Sequence, residues 1–153
     1  MSMPEVLKSI QKEINITLDY QETFDRMVVR AFSCTLELFL ATLIILGYLI
    51  SISTRIVPVL IIAIVIAVGM IIGTWCSIRV TNEASREMEE HGRVIMDENL
   101  SDINLKITTI HNFFDVAQKY NSIRHSVFIM NALSLIYVTC IFISMITLVI
   151  MSH

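Results

Sequence analysis

Apolar residues gather into three long runs, residues 31–52, 56–76 and 127–150, separated by polar or amphipathic stretches. The hydrocarbon core of a bilayer is about 30 Å thick and takes roughly 20 helical residues to cross. All three runs meet that length, and the second contains no charged residue. A chain of 153 residues has room to bury one helix that is apolar all round, but not three. The pattern predicts an all-α integral membrane protein with three transmembrane helices, an N-terminal amphipathic helix and a helical cytoplasmic segment.

The flanking segments carry a different rhythm. In residues 1–30, Ser2 and Glu5 have the spacing of a capping box, and Pro4 falls in the first turn, where its missing N–H costs nothing. Leu7, Ile10, Ile14 and Leu18 then recur at three- and four-residue steps and define an apolar stripe, and Phe24 and Val28 continue the helix toward the membrane. Acidic side chains outnumber basic ones here, so the stripe is expected to pack on protein rather than on an anionic membrane surface. Ser53-Thr54-Arg55 makes a hairpin too short to be a domain, with Thr54 as a cap and Pro58 early in the next helix. In residues 77–126, Arg79, Glu83, Arg86, Glu90 and Arg93 alternate in sign along one helix face. Gly92 and residues 97–102 suggest a break, after which Ile103, Ile107, Ile110, Phe114 and Ala117 form a seam for another helix. The resulting division is 1–30, 31–76, 77–126 and 127–151.

Composition agrees with a membrane protein. The hydrophobic fraction is 55%, mean hydropathy is +0.71, and 16% of residues are charged, against about 25% in soluble domains. A net charge of −3 gives no bulk attraction to nucleic acid. Cys34, Cys76 and Cys140 all fall in apolar runs, without the clustered spacing of a disulfide framework or a zinc site. Buried thiols are expected, with lipidation of Cys34 or Cys76 as the alternative; no cofactor or metal is expected. Ten of the eleven Lys and Arg residues lie before the first run or between the second and third, and only Arg55 lies in the hairpin. The positive-inside rule then puts the N-terminus and the middle segment in the cytoplasm and the C-terminus outside.

Polar residues inside the runs are the candidate chemistry. Glu37 lies seven residues beyond Arg30, about 10 Å along the helix axis. Asn131 lies seven beyond Arg124, and Thr74 five inward of Arg79, so the three share roughly one depth. With Ser134, they suggest a polar layer near the cytoplasmic leaflet, either lining a pore or fixing helix packing by hydrogen bonds. Tyr137, Ser144 and Thr147 extend the polar side of the third run. Gly69 and Gly73 form a GxxxG, continued by Ser77, that lets helix backbones approach closely.

There is no metalloprotease, phosphate-loop or nucleophile-elbow motif. Arg86 and His91 have the Arg-x4-His spacing of HEPN ribonucleases, in which a cation holds phosphate and an imidazole moves the proton. On a straight helix five residues leave the two side chains about 140° apart, and Glu83 and Glu90 already account for Arg86. No live nuclease is expected. A small multi-helix membrane protein with a degenerate Arg-x4-His nonetheless resembles the pore-forming, HEPN-like accessory proteins of type VI-B CRISPR systems. Glu87 departs from the neutral or amide neighbour usual after that arginine. The resemblance implies a bacterial inner-membrane protein that depolarises the membrane in antiphage defence, with an RNA-guided ribonuclease as its functional partner.

The sequence thus predicts a homo-oligomeric channel or membrane-perturbing pore in contact with lipid and without direct nucleic-acid binding. The alternative is a non-conducting structural or adaptor subunit of a larger membrane complex. Topology is directly testable. A cysteine introduced within residues 53–55 should label with an impermeant thiol reagent in intact cells, and one within residues 97–102 only after lysis. The reverse pattern would contradict the basic-residue count.

Overall fold

The computed structural model describes residues 3–52, 57–97 and 103–152. Ser2 of the capping box, the Ser53–Arg55 hairpin with its cap, and residues 98–102 of the suggested break lie outside them. Among the described residues there is no strand, and all but Asp97 lie in three helices, α1 (Met3–Ile52), α2 (Val57–Met96) and α3 (Ile103–Ser152). Each helix contains a stretch long and apolar enough to cross a membrane. At 50, 40 and 50 residues the helices are roughly 75, 60 and 75 Å long, so each also carries a polar stretch beyond any apolar span.

Two compact units divide the chain, one of Met1–Met27 with Arg79–His125, the other of Val28–Ile78 with Ser126–His153. In both, buried side chains follow a seven-residue step. The charged unit buries Ile14 and Gln21 on α1, Thr81, Met88 and Ile95 on α2, and Phe113 and Tyr120 on α3. The apolar unit buries Val28, Thr35, Thr42 and Leu49 on α1, Leu60, Ala67 and Thr74 on α2, and Val127, Ser134 and Ile141 on α3. A strict step of seven keeps one seam facing its neighbours only if the helices wind gently around each other.

Both units bury a hydrophobic cluster together with polar side chains. Ile14, Ala84, Met88, Ile95, Phe113 and Tyr120 form an ordinary hydrophobic cluster in the charged unit, flanked by Ile10, Leu18 and Phe24. This is the packing on protein expected of the N-terminal stripe. In the apolar unit Thr35, Thr42, Thr74, Asn131 and Ser134 are buried, whereas Leu40, Ile44, Ile62, Val65 and Ile136 are exposed, Ile44 to 76%. Inside the apolar unit these hydroxyl and amide groups accompany a hydrophobic cluster that includes Leu46, Leu49, Leu60, Val138 and Met145, and the large apolar side chains outside suit lipid surroundings.

Three sequence expectations change. Gly92 does not break α2; it is buried, and an added Cβ there would lie 2.9 Å from Leu18 Cδ1. Its lack of a side chain lets α1 pack close, and the helix ends only at Met96, where Asp97 N donates to Val94 O. The seam on α3 is also rotated. Ile110 and Ala117 pack against the core as expected, but Phe113 and Tyr120 are its buried residues, while Ile107 and Phe114 are exposed on the flank. Finally, Cys34, Cys76 and Cys140 are free and exposed rather than buried, since each lies off the inward stripe of its helix.

Gly92→Val should lower unfolding stability by about 2 kcal/mol, since a branched side chain must displace Leu18. Gly73→Ala should cost under about 0.5 kcal/mol, because its Cβ meets only the flexible end of Met130, at 3.3 Å. Thermal unfolding of the detergent-solubilised protein measures both.

Candidate functional site

In the charged unit, a polar cluster joins all three helices. Asp25 on α1 accepts two hydrogen bonds, from Ser85 Oγ of α2 at 2.7 Å and from Tyr120 OH of α3 at 2.8 Å. Gln21, one turn before Asp25, donates through Nε2 to Ser85 O at 3.2 Å and to Ser85 Oγ. The proton count closes, because Ser85 Oγ gives its hydrogen to Asp25 and receives one from Gln21. Gln21 Oε1 is buried and has no hydrogen-bond partner among the described residues. Phe24 packs edge-on against the Tyr120 ring at 6.5 Å. Burial, then the hydrogen bond to Asp25, then its charge push the Tyr120 hydroxyl well above the usual tyrosine range, with Arg124 pulling the other way.

Beside this cluster lies a cavity of about 460 Å³. Gln21 and Tyr120 border it, with Tyr20 of α1, Met88 of α2 and Phe114 and Arg124 of α3. The Arg124 guanidinium sits 5.1 Å over the Tyr20 ring, a cation–π contact.

The residues expected to form a membrane polar layer are divided by the structure. Thr74 and Ser134 meet, their hydroxyls 2.9 Å apart. Asn131 is buried and donates through Nδ2 to Val28 O at 3.0 Å, while its Oδ1 has no partner among the described residues. Glu37 does not join them. Two residues on from buried Thr35, it is turned about 160° away and is exposed on the outer face of α1. It has no hydrogen-bond or ion-pair partner among the described residues. Tyr137 OH reaches Ala63 O at 3.4 Å, whereas Ser144 and Thr147 bond to carbonyls of their own helix. On α2, an added Cβ at Gly69 meets nothing within 4 Å, and Ser77 Oγ donates to Gly73 O at 2.9 Å.

Arg86 and His91 share one continuous helix and do not converge. Arg86 is exposed and pairs with Glu90 at 3.6 Å. The charged face resolves into separate i,i+4 pairs, Arg79–Glu83 at 3.8 Å and Arg93–Glu89 at 3.9 Å being the others. The described residues contain no group of three or more His, Cys, Asp or Glu side chains able to hold a metal ion. No protein-family model, curated protein or solved structure matches this chain.

The Asp25 cluster escaped sequence reading because its members are 4, 60 and 95 residues apart. One local signal was available: Gln21 occupies a seven-residue step between Ile14 and Val28, a core position. Tyr120→Phe should cost about 1.5–3 kcal/mol, the range for a hydrogen bond to a charged group. Combined with Ser85→Ala it should cost less than the sum of the single changes, because both act on one carboxylate. The folded state holds the Tyr120 proton past the ordinary value of 10.0, so this contribution is complete below pH 10 and is lost as pH rises further. The free energy of unfolding measured across alkaline pH should therefore fall less steeply in Tyr120→Phe than in wild type.

Proposed function

We propose that this protein is a non-enzymatic membrane protein that assembles with copies of itself around a water-filled conduit, with Glu37 facing that conduit. The observation that carries this reading is the placement of Glu37. It is a carboxylate exposed among Leu36, Leu40 and Ile44, on a helix apolar enough to cross a membrane. A charged side chain facing lipid costs up to roughly 3 kcal/mol on insertion scales, the figure for a helix centre, and water or protein relieves the cost. The conduit belongs between copies rather than inside one chain. The interior of the apolar unit is filled, with Thr35, Ala67, Thr74, Ser134, Val138 and Met145 each 0–1% exposed. Gly69, with open space where a Cβ would be, gives α2 an outward surface on which another helix can approach closely. Thr74, Asn131 and Ser134 then act in packing within the chain. Taken with the resemblance to type VI-B accessory proteins, the flux serves to depolarise the bacterial inner membrane during phage defence, beside an RNA-guided ribonuclease.

Glu37→Gln should keep oligomer mass while reducing cation preference in liposome flux, since it removes the charge and keeps the shape. Glu37→Leu should close the conduit, as apolar rings gate by dewetting. Gly69→Ile should leave the monomer fold intact and lower the oligomer mass. A wild-type monomer with no flux would leave the non-conducting adaptor reading in its place, and unchanged flux in both Glu37 variants would remove Glu37 from the conduit.

A further inference from the structure

The cavity beside the Asp25 cluster has three features that the packing of its unit leaves unused. Gln21 is 2% exposed, yet its Oε1 lacks a donor among the described residues. The Arg124 guanidinium carbon lies 5.1 Å from the Tyr20 ring centroid, and Arg124 makes no ion pair among the described residues. Between them runs an apolar wall that includes Met88 and Phe114. Asp25 already accepts one hydrogen bond at each oxygen, from Ser85 and Tyr120.

The geometry points to this cavity as a site for a glycerophosphate group, its phosphate on Arg124 and a hydroxyl donating to Gln21 Oε1. Arginine's planar fork of donors matches phosphate oxygens. A glutamine oxygen can only accept, so the ligand must bring a donor of its own. The carbon atoms of the glycerol supply the apolar surface that a bare phosphate ion lacks. Two sources carry this chemistry, a phosphatidylglycerol headgroup and a soluble glycerol phosphate. Arg124 lies two residues before Ser126, where α3 passes into the apolar unit, and arginine and tyrosine are side chains common at headgroup level.

The test uses the full chain in phosphatidylcholine nanodiscs doped with either phosphatidylglycerol or phosphatidylmethanol, which has the same charge but no headgroup hydroxyl. Native mass spectrometry reads the lipid retained on the protein. At least fivefold preferential retention of phosphatidylglycerol is expected, falling to parity in Gln21→Met. In Arg124→Gln, on the cavity rim, retention of both anionic lipids should drop about tenfold. A parallel titration with sn-glycerol 3-phosphate in undoped discs, followed by thermal unfolding, separates the sources. A rise in unfolding temperature that Arg124→Gln abolishes assigns a soluble ester, and retention of phosphatidylglycerol without such a rise assigns the lipid. Equal retention of the two anionic lipids by wild type would overturn the hydroxyl contact. Neither retention nor thermal shift, or an Arg124→Gln protein that behaves as wild type in both arms, would overturn the site.

Discussion

The seven-residue step of buried positions is the constraint on which the rest depends. Once Thr35 on α1 and Ala67 on α2 face inward, helical geometry turns the residues two positions later outward. Glu37 and Gly69 are those residues. The same step brings Thr74 against Ser134 and puts Gln21 inside the core of the charged unit. The outward carboxylate and the inward amide are therefore two consequences of one helix phase.

Polar groups inside the helices are then sorted by reach. Hydroxyls return to the carbonyl one turn back, as Thr35 does to Ala31 O at 2.9 Å and Thr42 to Leu38 O at 2.7 Å. They satisfy themselves without a partner helix, so threonine fills inward positions of an apolar unit at low cost. Amides cannot do this. Gln21 and Asn131 each use their N–H donors on a neighbouring helix and keep an oxygen without a partner among the described residues. Such an oxygen is unfavourable unless a donor from outside the chain meets it, which singles out Gln21, because a cavity lies beside it.

The surface charge carries less weight. Arg79–Glu83, Arg86–Glu90 and Arg93–Glu89 are exposed i,i+4 pairs, each worth a few tenths of a kcal/mol. Their effect is to keep one face of α2 in water. Arg86 belongs to that face, and nothing in its surroundings turns it toward His91 to make a catalytic pair.

The sequence by itself determined the helical class and the three apolar stretches, because those depend on local composition and on the length needed to cross a bilayer. It also located the apolar stripe at Ile10, Ile14 and Leu18, which a periodic pattern reveals directly. Residue count along a helix says nothing of azimuth. Glu37, Thr74 and Asn131 share a depth by residue count, yet one faces out and two face in, and only the packing of three helices decides that. Gly92 read as a break for the same reason. A glycine inside a helix is unfavourable locally, and its benefit, the close approach of Leu18, comes from a residue 74 positions away in the chain. Asp25, Ser85 and Tyr120 form one site only because three separate helices pack together, and no spacing along the chain encodes that meeting.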